Sequence, residues 1–291
     1  MINNKDLLQS MLQSLPIHVQ SKILFFLSYK EYTLTSRTSK HFKSIWKDTT
    51  DKHLLPLYIP QDFTTLQLAV ERIEQDLDHK ITTIVLGKGT HNVNYSAKGK
   101  ILHIKTSMNI IGQPNVHRSD IIVFGGFWIE SDIENNTHLQ HMTISQSEGH
   151  GVFGASPFTM NDILVTTTKR HGVCAYDVGG RAVCTDVEVC QCRQSGMVAS
   201  NGGSITIMGT KTTCTVHDNC KRHKYDYGLQ VSSRGSKIYL ISPLTKEIVS
   251  INNGGGGNYG VSHGGSGDGD IDQIKTVSDI GVIRVKMKKI M

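Results

Sequence analysis

The sequence has no secretory signal and no long hydrophobic run. Its most apolar stretch, Ile23-Leu-Phe-Phe-Leu27, is too short for a signal core or a membrane span, so no membrane partner and an intracellular location, cytoplasm or nucleus, are expected. Cysteine is absent before residue 174; Cys174, Cys184, Cys190, Cys192, Cys214 and Cys220 all fall in one central region. A reducing compartment disfavours disulfides there. Cys190-Gln-Cys192 lacks a second paired ligand set at ribbon or finger spacing, so no metal and no cofactor is expected, and cysteines packed as small hydrophobes are the simpler account. A surplus of one charge is also scarce. The formal charge is +6 over 291 residues, and the two short basic groups, Lys221-Arg222-His223-Lys224 and Lys286-Met-Lys-Lys289, are not interleaved with stacking aromatics. That argues against nucleic acid as a partner. Proline is rare too, six against twenty-eight glycines, which suits a chain of many tight turns.

What is present is a repeat. From residue 139 a polar residue followed by β-forming residues precedes a Gly and an apolar residue at a fixed interval. His141 leads to Gly151-Val152, Asp162 to Gly172-Val173 and Asp186 to Gly196-Met197, ten residues each time. Thr210 to Gly228 and Ser242 to Gly260 both span eighteen, as though one turn had twice accepted eight extra residues. The return from each Gly to the next polar residue takes fourteen: Gly172 to Asp186, Gly196 to Thr210, Gly228 to Ser242. A unit of about two dozen residues cannot bury its own apolar face and must stack on its neighbours. Each unit holds short runs of Val, Ile and Thr, such as Ile163-Leu-Val-Thr-Thr-Thr168 and Ser204-Ile-Thr-Ile207, broken by Gly, Asn and Asp. No unit holds two amphipathic helices, and leucine-rich-repeat spacing is missing.

Short strands at one coil length make a parallel β-helix, and the unit resembles the right-handed β-helix repeat of the pectin-lyase-like fold. The expected fold is mainly β, with some eight coils in a rod of roughly 40 Å at about 4.8 Å per coil. His141, Asp162, Asp186 and Thr210 should form one column; His150, His171 and Ser195 should form another. The repeated Gly should mark a positive φ or a place with no room for a side chain. The β-helix is assigned to residues 61–291. Asp62 is a candidate N-cap for a capping helix over 62–76, with Leu66, Ala69, Val70 and Ile73 on its buried face. Ile81 to His91 resembles the entrance of pectin-lyase-like domains. Residues 252–270, nearly all Gly, Asn, Ser and Asp, read as a flexible loop.

Residues 1–50 differ, with Leu, Phe, Lys and Ser at helical spacing, and residues 51–60, with two prolines, read as a linker. Leu15-Pro16, Ile23-Leu24, Leu27 and Ser39-Lys40-x-Phe42 follow one another without gaps in a pattern that resembles an F-box. The resemblance implies a small helical assembly whose apolar stripe, here Leu15, Pro16, Ile23, Leu24 and Leu27, docks into a groove of a Skp-type adaptor of a cullin–RING ubiquitin ligase. Arg37 and Thr38 stand where that family usually has apolar residues, and Phe42 where Trp is common.

The two parts together resemble F-box proteins with β-helix repeats: a non-enzymatic adaptor whose β-helix selects a target protein or glycan. Long inserts at one corner of a solenoid often form its binding face, which points to Lys221, Arg222, His223, Lys224 and Tyr225. Two other classes stand beside this one. A structural or interaction protein, for example of a large virus, would use the rod as a spacer without any ligase role. A polysaccharide-cleaving enzyme of the same fold would need paired carboxylates, for which Asp162 and Asp186, one coil apart, are the candidates. The set of motifs that marks pectinases is missing, although Gly149-His150-Gly151 matches one element. Asp at a repeated turn is more simply a residue that stabilises that turn.

Overall fold

In a computed structural model the protein is described over residues 56–76, 81–93, 95–96, 99–220, 224–262 and 269–278. It is a mainly β, parallel β-solenoid of about six turns. About six turns form where eight coils were expected, and the strands Leu57–Ile59 and Ile274–Val277 end the first sheet at its two edges.

Two sheets carry the coils. The first runs from Leu57–Ile59 through Thr83–Leu86, Asn109–Gly112, Thr137–Ser145, Phe158–Thr166, Arg181–Cys190, Ser204–Met208 and Lys237–Ile241 to Ile274–Val277. The second stacks Gly99–Ile104, Gly126–Ile129, Val152–Gly154, Val173–Tyr176, Met197–Ser200, Tyr227–Val231 and Gly257–Val261, all in parallel. In the regular coils each long strand of the first sheet bends at one residue of positive φ: His141 (57°), Asp162 (51°) and Asp186 (52°). Pairing passes from Asn161↔Thr185 to Ile163↔Val187, so the bend residues lie at one register position of successive coils. The left-handed region is costly for most side chains and least so for Asx-like ones, which accounts for Asp here. Each bend also resets the in–out alternation: Met160 and Ile163 are both buried, with Asn161 and Asp162 between them partly open. Each coil therefore has three short runs facing one interior.

That interior is a stack of like on like. Ile144, Val165 and Val189 align in one column, and Phe127, Val152, Val173, Met197 and Leu229 in another, all fully buried. At roughly 2 kcal/mol or more per large side chain, these columns supply the cohesion that no single coil has. The repeated glycines lie where a side chain has no room. A Cβ on Gly172 would overlap Val189 Cγ1 and come within 2.7 Å of Gly196 O, and Gly151 and Gly196 are confined in the same way by Val165 and Val216. None of the three has positive φ, so of the two expected reasons close packing is the operative one. Further along, Asn219 and Asn253 form a buried amide ladder: Asn219 Nδ2 donates to Asn253 Oδ1 (3.0 Å) and to Val189 O (3.0 Å), and Asn253 Nδ2 donates to Val216 O (2.8 Å).

Several boundaries differ from the sequence reading. The helix spans Leu66–Glu74, and its N-cap is Thr65, whose side chain accepts from Leu68 N, while Asp62 accepts from Tyr58 N instead. Leu66, Ala69, Val70 and Ile73 are buried as expected. Leu57–Ile59, inside the expected linker, pairs with Ile84–Leu86, since Ile59 is drawn into the core and the prolines on either side suit the edge of a sheet. Within the Gly-rich 252–270 stretch, Gly257–Val261 is a strand paired with Tyr227–Val231. Its Gly260 lies against the Tyr227 ring, where a Cβ would collide, so glycine here serves close approach rather than freedom. The fourth member of the bend column is Gly209 (φ 130°), not Thr210, because Thr185 pairs with Met208.

Candidate functional site

The polar residues of the regular coils gather on the outer surface of the first sheet. A short 3-10 helix, Arg118–Asp120, lays the Arg118 side chain across three coils. Its Nη1 donates to Asp162 Oδ1 (3.2 Å) and its Nη2 to Glu188 Oε2 (2.8 Å). His141 Nδ1 lies 2.5 Å from Asp162 Oδ2, and His141 Nε2 lies 2.6 Å from Val116 O. In the next coils His217 Nε2 lies 3.3 Å from Glu188 Oε1, and its Nδ1 lies 2.8 Å from Asp218 Oδ2. Burial holds the His217 pKa down, but hydrogen bonds to Asp218 and Glu188 outweigh it and the net shift is upward. Glu188 and Cys190 alternate on one strand and so share its outer face, and His217 pairs directly with Cys190. Burial pushes the Cys190 thiol up, and Thr166 Oγ1 lies 3.5 Å from its sulfur.

The carboxylates named from sequence are placed as expected, at one position of consecutive coils, but each has its own partners. Both oxygens of Asp162 are engaged, one by Arg118 and one by His141. Asp186 accepts from Thr213, within the insert that follows Gly209. Glycoside hydrolysis uses a pair of carboxyl groups that both face the substrate, one as acid and one as base or nucleophile.

The His column forms as expected on the other side of the coil. The His150 and His171 rings stack at 5.2 Å, and Ser195 N donates to His171 Nδ1 (3.1 Å). Burial pushes the His150 pKa down to about 3, with the His171 and Arg170 charges adding to it, and burial with Arg170 pushes His171 down to about 4. Both rings are neutral at neutral pH, and His150 Nδ1 has no hydrogen-bond partner among the described residues. Beside them the outer surface of the second sheet carries a ring stack: His103 on Trp128 (5.9 Å), Trp128 on Phe153 (3.9 Å) and Phe153 near Tyr176 (5.5 Å). Cys174 and Val198 continue the column, both buried in one cluster with Phe153.

Of the corner residues, Lys221, Arg222 and His223 lie outside the described residues. Tyr225 is 58% exposed with the Lys224 amine 4.9 Å over its ring. The long turns are less loop-like than their composition suggests. Each contains a strand, Thr215–His217 and Ser250–Ile251, and the two pair with one another. The extra residues are split between Gly209–Cys214 and the stretch after Asn219, so equal spacing sets Cys214 beside Cys190 where the ladder sets His217. Arg118 carried no sequence signal, since it reaches the site from an irregular first coil.

The adaptor residues Leu15, Pro16, Ile23, Leu24 and Leu27 also lie outside the described residues. They fall inside the span, residues 12–54, that matches the family model of the F-box domain. No curated protein and no solved structure matches the chain. Among the described residues no helix is long and apolar enough to cross a membrane. F-box domains bind Skp-type adaptors in cullin–RING ligases and imply a role in substrate recognition by a ubiquitin ligase; the chain joins such a domain, at residues 12–54, to a parallel β-solenoid of about six turns.

Proposed function

We propose that this chain is a substrate-recognition subunit of a cullin–RING ubiquitin ligase, acting as a scaffold and not as a catalyst. The F-box match over residues 12–54 carries the reading. In it Leu15, Pro16, Ile23, Leu24 and Leu27 present an apolar helical stripe to the adaptor's groove. The solenoid holds the target. Lys224 and Tyr225, where an exposed tyrosine and a lysine amine sit together, suit an acidic protein segment or a glycan, with Lys221, Arg222 and His223 adjoining them in sequence. The engagement of Asp162 and Asp186 by their own neighbours favours binding over polysaccharide cleavage, and the fold alone prescribes no reaction.

The test is a pull-down of the purified chain with a Skp-type adaptor, beside a Leu15→Ala/Pro16→Ala/Ile23→Ala variant shown by circular dichroism to keep its β signal. Capture of the parent and at least a tenfold loss in the variant is the expected result. A folded parent that captures no adaptor overturns the reading.

A further inference from the structure

We propose that Glu188, Cys190 and His217 form a zinc-binding site on the outer surface of the first sheet, with a fourth position open to water. The donor atoms are a carboxylate oxygen, a thiol sulfur and an imidazole nitrogen, all within 4.8 Å of one another. Small rotations of the partly exposed Glu188 and His217 side chains about the buried Cys190 bring such a set to the ligand distances of a tetrahedral ion, about 2.0–2.3 Å. The set is built by the ladder rather than by chance. Glu188 and Cys190 stand two apart on one strand, and hydrogen-bond register places His217 beside Cys190 in the next coil.

The outer partners are those a metal site uses. His217 gives Nδ1 to Asp218 Oδ2 (2.8 Å), which fixes the ring and turns Nε2 towards Glu188 and Cys190. Arg118 holds the far oxygen of Glu188 and leaves Oε1 to bind alone. Cys190 Sγ donates to Thr166 Oγ1 (3.5 Å), which orients the sulfur on the outer face. A carboxylate–histidine–metal arrangement with each ligand so supported is the common second layer of zinc sites. Charge agrees: the carboxylates of Asp162, Glu188 and Asp218 face the single Arg118 guanidinium, so a dication balances the cluster. Nitrogen and sulfur donors with one carboxylate select zinc over calcium or magnesium. His217 and Glu188 keep about a quarter to a third of their side chains exposed, which leaves the fourth position accessible.

The experiment uses the full chain, untagged and stripped with a chelator. Titration with Co²⁺, a spectroscopic stand-in, is followed by absorption, and competition with Zn²⁺ gives relative affinity. One Co²⁺ per chain with a thiolate-to-cobalt charge-transfer band, displaced by Zn²⁺, is expected. Cys190→Ser should abolish the band, His217→Ala should weaken Zn²⁺ binding at least a hundredfold, and Asp218→Asn should weaken it about tenfold through the ring it orients. His217 is partly exposed, so its variant keeps the test open if Cys190→Ser fails to fold. No band in the parent, or a band that survives in Cys190→Ser, overturns the site and leaves His217 as a bridge between two carboxylates.

Discussion

The two outer surfaces of the solenoid rest on the same stacked coils yet are held in opposite ways. Over the second sheet, Trp128, Phe153, Cys174 and Val198 line up in register, and rings and thiol cover one another with the neutral His150 and His171 alongside. Over the first sheet, Arg118, Asp162, His141, Glu188 and His217 are joined by ion pairs that span coils. A parallel ladder brings like positions together, and the chain meets this in two ways. Where the repeated position is apolar, stacking accumulates burial; where it is acidic, each carboxylate has its own partner, Arg118 and His141 at Asp162 and Thr213 at Asp186.

Acidification should separate the two surfaces most sharply. His150 and His171 have folded pKa values of about 3 and 4 against 6.5 unfolded, so the unfolded chain takes up protons first. Their contribution is fully present above pH 6.5 and is lost as pH falls towards 4 and then 3, roughly 2 kcal/mol each by pH 5. His217 runs the other way: its raised pKa gives stability below pH 6.5 that fades as pH rises through the folded value. Urea unfolding at pH 7 and pH 5 checks this, and His150→Phe should remove roughly 2 kcal/mol of the parent's drop. An unchanged drop in the variant would show that the ring titrates normally.

The next effect lies in the ring stack. Trp128→Ala removes a ring stacked 3.9 Å from Phe153 and the Trp128 Nε1 bond to Glu130, and should cost about 2 kcal/mol, independent of salt. Arg118→Met should cost less, about 1 kcal/mol, and the difference from the parent should shrink in 1 M salt because its partners are part exposed. Denaturation midpoints at two ionic strengths compare the pair. A salt-dependent Trp128→Ala or a salt-independent Arg118→Met would remove the contrast between the surfaces.

The parts legible in the sequence are those that the stacking repeats. Gly151, Gly172 and Gly196 at constant spacing announce a column with no room for side chains, and the Val and Ile runs announce strands. The F-box span was legible because Leu15-Pro16 and Ile23-Leu24 keep their offsets without gaps. The acidic column was legible as a column, but its pairing was not, because Arg118 comes from a coil that does not share the repeat. The facing of Cys190 and His217 was hidden for another reason. The insert is divided, part at the bend after Gly209 and part after Asn219, and counting residues treats it as a single block. Gly257–Val261 reads as loop in the sequence because glycine signals freedom in composition and closeness in packing, and only the Tyr227 ring distinguishes the two.

That divided insert has a consequence for how such a chain changes over generations. Pairing resumes after each half, Glu188 with Thr215 and then Met197 with Leu229, as if nothing had been added between. The exposed Lys211 and Thr212 in the first half, and the exposed Lys224 and Tyr225 in the second, can thus be rewritten while the ladder beyond them is kept. If the solenoid binds a target as proposed, a lineage can exchange that target while the frame and the F-box are inherited intact, so that new specificity arises by editing the margins of a fixed text.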